Sequence, residues 1–234
     1  MSVNRDHTSL SPALVKKAFA AVRNGHQDVV DVYASLGGDL NLRDHDGWTM
    51  LLHTVPHNRP EMARQILALG ANVEMTDDEG ITPLIRAMGR NAVDIVSALL
   101  EAGADQESPD PEGATPLITG VRECCQESVQ RLLEGGADPN RCDPTGGSPL
   151  YICARYGLPE TLSLLLEWGA DPQAATKTGL SPLIAAAWVG DAAKVSTLLA
   201  AGADPNHQDD RGRTALSIAR ERKFPDVEQV LTAS

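Results

Sequence analysis

Aromatic side chains are scarce: two Phe, three Tyr and three Trp among 234 residues. A core filled by large rings is thereby excluded, and a chain that is 42% hydrophobic must pack thin, uniform layers of Leu, Ile, Val and Ala. The same hydrophobic content excludes global disorder. Positive charge is also short, with 20 Lys and Arg against 32 Asp and Glu and a net charge of −12. Phosphate backbones and anionic lipid repel such a chain, so neither nucleic acid nor a membrane is expected as a partner. No apolar run approaches the roughly 18 residues of a membrane helix. The opening Met-Ser-Val-Asn-Arg-Asp-His-Thr-Ser-Leu has no apolar centre and does not read as a secretory signal. Cysteine is limited to Cys124, Cys125, Cys142 and Cys153, with no CxxC spacing, so free thiols are expected rather than a zinc site. These readings lead to an expected cytoplasm-like location.

What the sequence does have is a period. Gly47, Gly80, Gly113, Gly146, Gly179 and Gly212 are spaced by 33, without insertion. A hydroxyl two residues on keeps the beat at Thr49, Thr82, Thr115, Ser148, Ser181 and Thr214, and a leucine follows at Leu51, Leu84, Leu117, Leu150, Leu183 and Leu216. A second series, Gly37, Gly70, Gly103, Gly136, Gly169 and Gly202, runs in register. Each feature has a physical role. In Thr82-Pro83-Leu84 the hydroxyl caps a helix, and proline fills the first position, where its missing N–H is not needed. Leu84, Ala87 and Met88 then share one helical face, and Ile95-Val96 with Leu99-Leu100 mark a second helix that Gly103 ends. Asp46-Gly47, Glu79-Gly80 and Glu112-Gly113 are turn pairs leading into the next unit. One such unit cannot bury its apolar face alone, so the units must stack.

These motifs resemble the ankyrin-repeat family, whose units read D-x-x-G-x-T-P-L at the start and L-L-x-x-G-A-D-x-N toward the end. Here Asp110-Pro111-Glu112-Gly113-Ala114-Thr115-Pro116-Leu117 and Leu132-Leu133-Glu134-Gly135-Gly136-Ala137-Asp138-Pro139-Asn140 carry the likeness. The resemblance implies an all-α solenoid of stacked helix-turn-helix units with β-hairpin-like finger loops. The expected organisation is one continuous domain: loose residues 1–10, a capping unit at 11–43, repeats at 44–76, 77–109, 110–142, 143–175 and 176–208, and a capping unit at 209–234. Cys153 stands where other units carry Ala or Gly and is expected to be a small buried hydrophobe. The family's histidine after Thr-Pro-Leu is replaced by Leu52, Ile85, Ile118, Tyr151, Ile184 and Ser217, so apolar packing is expected to take over much of the linkage between loops.

The resemblance also implies a concave side, made of fingers and first helices, on which partner proteins are bound at positions the fold leaves free. Trp48, His57, Ile81, Arg90, Arg122, Arg155, Tyr156, Trp168, Leu180 and Trp188 occupy such positions and are the expected protein-binding residues. Exposed Trp and Tyr are costly in water and dominate binding hot spots. The alternative is that Trp168 and Trp188 pack on each other between units. The exposed first-helix positions carry Arg90, Arg122, Arg155 and Arg222. Arg122 and Arg155 recur at one place in successive units and are expected to project side by side, within an arginine–aromatic strip bordered by acidic fingers (Asp46, Asp77, Asp78, Glu79, Asp110, Glu112, Asp209 and Asp210). The bland alternative is a solvated surface of weak intramolecular ion pairs.

Catalysis finds little support. His53 and His57 are four apart, but Pro56 interrupts them and the HExxH glutamate is missing, so two surface histidines are expected. Gly146-Gly147-Ser148-Pro149 lacks the ending of a phosphate loop. The expected function is that of a monomeric protein-binding module without catalytic residues, metal or cofactor, either a scaffold or a dedicated antagonist of one target. The lack of an appended module favours the antagonist slightly. An enzyme with a metal at His53/His57 or the cysteines is the rival reading.

Overall fold

The computed structural model describes residues 10–233, which form fourteen α-helices and no strand. The helices come in pairs. The first members are α1 (Pro12–Asn24), α3 (Met50–Thr54), α5 (Pro83–Met88), α7 (Pro116–Arg122), α9 (Pro149–Tyr156), α11 (Pro182–Val189) and α13 (Ala215–Arg222). The second members are α2 (Gln27–Ser35), α4 (Pro60–Ala68), α6 (Val93–Glu101), α8 (Gln126–Glu134), α10 (Pro159–Glu167), α12 (Ala192–Ala200) and α14 (Pro225–Ala233). Each helix touches its own partner and its counterparts in the units before and after, so the helices form two parallel rows. The loose segment expected at residues 1–10 lies outside the described residues except for Leu10, which packs half-buried against the core.

Local chemistry starts and stops these helices. Thr49, Thr82, Thr115, Ser148, Ser181 and Thr214 each accept the backbone N–H three residues on, at 3.1–3.3 Å. Losing such a cap typically costs about 1 kcal/mol. At the far end of the unit Gly103 takes φ 84°, a left-handed conformation that turns the chain out of α6 without a Cβ penalty. Between the rows lie repeating apolar layers. Leu51, Leu84, Leu117, Leu150 and Leu183 are buried, as are Ile66, Leu99, Leu132, Leu165 and Leu198. Each such side chain is worth roughly 1.5–3 kcal/mol of transfer from water. Tyr33 takes the corresponding place in the first unit, where its ring lies against Gly38 and its hydroxyl donates to Asp39 O.

The fingers are turns rather than hairpins. The N–H of Asp44, Asp77, Asp110, Asp143, Thr176 or Asp209 donates to the carbonyl four residues on and closes each loop. In five of the six, one oxygen of the Asp carboxylate accepts the N–H groups two and four residues on, at 2.8–3.1 Å. Asp77 and Asp209 are therefore only 2% and 6% exposed, which removes them from the acidic border expected of the fingers.

Linkage between loops differs from expectation as well. A polar ladder joins them, beyond whatever the apolar layers contribute. Asn41, Glu74, Glu107, Asn140 and Gln173 each accept a backbone N–H from the loop of the next unit, those of Asn72, Asp105, Asp138, Asp171 and Asp204. Asn140 and Gln173 also donate to Gly169 O and Gly202 O. A carboxamide offers both donor and acceptor, so one side chain bridges two backbone groups of its neighbour.

Candidate functional site

The first-helix row and the fingers form one face, and two aromatic clusters lie on it. Toward the C-terminus, Trp188 sits half-buried near the end of α11. Three guanidinium groups cover its ring: those of Arg222, Arg213 and Arg155, at 4.2, 5.2 and 5.9 Å from the centroid. Arg155, on α9, also lies over the Tyr156 ring and donates from Nε to its hydroxyl at 2.7 Å. Arg213 is held by the buried Asp209, whose Oδ2 accepts from Nε at 2.8 Å and lies 2.7 Å from Nη2. Burial pushes the Asp209 carboxyl up, but the hydrogen bonds and charge of Arg213 outweigh it, and the net shift is downward. A cavity of about 300 Å³ is lined by Tyr151, Arg155, Tyr156, Leu180, Ile184, Ala185, Trp188 and Arg213. Tyr156 is 57% exposed at its rim.

Toward the N-terminus, Trp48 packs half-buried against His53, with ring centroids 5.5 Å apart, and the Arg86 guanidinium lies 5.6 Å from the Trp48 ring. His53 is 8% exposed, stands edge-on to Phe19, and places Nε2 2.7 Å from Asp44 Oδ2. Burial raises the Asp44 carboxyl, while bonds from His53 and the Trp48 and Asp46 N–H groups prevail and leave it below its ordinary value. Arg86 is clamped by Asp77 and Glu79. Burial alone would lower its pKa, but these two carboxylates raise it.

The expected site residues are distributed unevenly. Trp48 and Trp188 lie on the face, yet neither is bare in water, because arginines cover both. Trp188 is covered by guanidinium groups rather than by Trp168, which caps the end of α10 in the second-helix row and is 43% exposed. Ile81 and Leu180 are half-buried, and Arg90 and Arg122 are exposed. Arg155 turns onto Tyr156 and Trp188 instead of standing free beside Arg122. His57 is exposed, its ring stacked 6.4 Å from that of His53, and burial with nearby His53, Arg23 and Arg59 lowers its pKa. The sequence reading missed Arg86, Tyr151 and the role of Arg213. Arg213 stands at the same free finger position as Trp48, which was the available signal.

His53 is buried with Nε2 against Asp44, so it is not the surface histidine expected, whereas His57 is exposed as expected. The finger Asp44-His45-Asp46 brings three ligand-type atoms within 4.8 Å, but its Asp44 is already engaged by His53 and two backbone N–H groups. All four cysteines are free thiols. Cys153 is fully buried, and burial pushes its thiol up to about 12.

Two rows of short helices, capped fingers and a graded face define a helical-repeat solenoid. A family model of ankyrin repeats matches in three overlapping copies, at residues 18–110, 55–143 and 117–209, and the chain belongs to the ankyrin-repeat family. Its structure is similar to the ankyrin repeat domain of Bcl-3, a unique member of the IkappaB protein family, at 30% identity and a TM-score of 0.84, covering 92% of this chain and 97% of that one. It is also similar to the human ASB11 ankyrin repeat domain, at 26% identity and a TM-score of 0.78, covering 95% and 97%. No curated protein sequence matches the chain. Ankyrin-repeat domains mediate protein–protein interaction and are typically non-enzymatic. None of the helices among the described residues is long and apolar enough to cross a membrane.

Proposed function

We propose that this protein binds a partner protein through its first-helix and finger face, as an adaptor or as an antagonist of a single target. The observation that carries the reading is the arginine-covered Trp188 beside the exposed Tyr156 and an open cavity. Aromatic and arginine side chains around a pocket are the composition of binding hot spots. Their geometry is set by layers packed on either side, so little side-chain freedom remains to be lost on binding. The four free thiols support a reducing, cytoplasm-like compartment as the place of action.

The test is site-specific photocrosslinking in native lysate, with the crosslinker replacing Tyr156 in one sample and Glu127, on the second-helix row, in another. Crosslinked species specific to position 156 are the expected result. One dominant species identifies an antagonist, and several identify an adaptor. Equal products at both positions, or products at Glu127 alone, would overturn the reading.

A further inference from the structure

The arginines of this face divide into two groups. Those near the N-terminus are already matched: Arg23 lies 4.0 Å from Asp44, Arg43 lies 2.8 Å from Asp78, and Arg86 is shared by Asp77 and Glu79. Farther along, Arg90, Arg122, Arg155 and Arg222 have no carboxylate within 4.0 Å among the described residues. Three guanidinium groups converge on Trp188, and Asp209 is the single carboxylate paired with any of them. A chain of net charge −12 thus concentrates unmatched positive charge at one place.

Helix ends explain part of this. Arg122 and Arg222 are the last residues of α7 and α13, where the helix dipole favours a cation. Arg155 likewise lies in the last turn of α9, but the dipole does not explain why Arg155, Arg213 and Arg222, from units flanking Trp188, all turn onto its indole. Arg222 has none of its in-plane N–H donors committed among the described residues, and Arg155 gives only Nε, to Tyr156, so both can still offer donors to a carboxylate. The cavity beside them is lined by Tyr151, Leu180, Ile184 and Trp188, which suits one large apolar side chain. Asp210 lines the adjoining finger-side cavity and bounds the positive zone.

We infer that the partner segment seated here is acidic: an extended peptide stretch with Asp or Glu flanking one large apolar side chain. The apolar side chain enters the cavity, and the carboxylates meet Arg155 and Arg222, with Arg122 in line for a longer segment. This assignment rests on the reading of the face as a partner-binding surface and adds the chemistry of the partner and the end of the face it uses.

The test is selection of displayed random peptides on the full chain, followed by affinity measurement of the selected peptide. Three competitors are used: its copy with every Asp and Glu changed to the amide, a phosphoserine copy, and oligothymidylate. The expected result is enrichment of acidic peptides with an embedded aromatic or large aliphatic residue. The pair Arg155→Glu with Arg222→Glu should then weaken binding roughly 30-fold or more, as loss of hot-spot contacts does. The amide copy should weaken comparably, the pair Arg155→Lys with Arg222→Lys should fall between, and added salt should reduce affinity. Arg64→Glu, on the second-helix row, should bind as wild type, and unchanged circular dichroism melts certify that the variants are folded. If the selected peptides are neutral or basic but still crosslink to position 156, the acidic assignment fails and the partner face stands. If binding ignores Arg155, Arg222 and position 156 alike, both fail. Stronger competition by oligothymidylate or the phosphoserine copy overturns a carboxylate occupant.

Discussion

Single residues in this chain are set by burial more than by their chemical type. Cys153 has its thiol pushed up to about 12 and is fully buried, whereas Cys124 and Cys142 are exposed. Thiolate is the reactive form, so folded protein treated with iodoacetamide at neutral pH should leave Cys153 unmodified while the exposed thiols label, read by peptide mass spectrometry. Labelling of Cys153 at the same rate as Cys124 would contradict the packing. Asp209 carries a pH dependence of definite sign. Its folded pKa is depressed below the ordinary carboxylate value of about 3.9, so its stabilisation is fully present above that value. It is lost as pH falls through the folded pKa. Urea midpoints should therefore be lower for Asp209→Asn than for wild type at neutral pH, and the gap should close in strong acid. A gap independent of pH would show that the carboxylate charge contributes nothing.

Among the elements, the loop ladder supplies an internal control. Asn140 bridges two backbone groups of the next unit, the Asp171 N–H and the Gly169 carbonyl. Asn140→Ala should destabilise the chain by about 1–2 kcal/mol, at roughly 1 kcal/mol per net hydrogen bond. Asn206 occupies the same place one unit after Gln173, its side chain makes no hydrogen bond among the described residues, and Asn206→Ala should change stability by less than about 0.5 kcal/mol. Both are read from urea denaturation, and equal effects would mean the ladder is idle. Helices, caps and buried leucines were legible in the sequence because each unit meets the same demand at the same position. The ladder was harder to see because Asn41, Glu74, Glu107, Asn140 and Gln173 differ in type and share only a long side chain carrying an acceptor. Replacement of the family's histidine by mostly apolar residues points to linkage by packing, whereas a polar ladder at another position of the unit joins the loops. The clusters around Trp48 and Trp188 were half legible. Their aromatic members stand out against the repeat, but their arginines come from neighbouring units, and the direction a guanidinium turns depends on contacts that only folding supplies.

Across the molecule the six fingers are fastened in two ways. Lys177 N–H donates to Thr145 O and Asp210 N–H donates to Thr178 O, joining the last three fingers by main-chain bonds. Pro111 and Pro144 hold the matching position in two earlier fingers and have no N–H to give; they lie against Gly80 and Gly113 instead. Hydrogen exchange should therefore be slow at the Lys177 and Asp210 amides and fast at those of His45 and Asp78, which have no acceptor among the described residues. Comparable rates at all four would erase the distinction. The two fastened joints lie beside Leu180 and Arg213, at the walls of the Trp188 cavity. The spacing of the loops that wall this cavity is thus set by main-chain bonds rather than by side chains. A partner side chain entering there would meet walls at a preset separation, so its width and not only its charge would decide whether it fits.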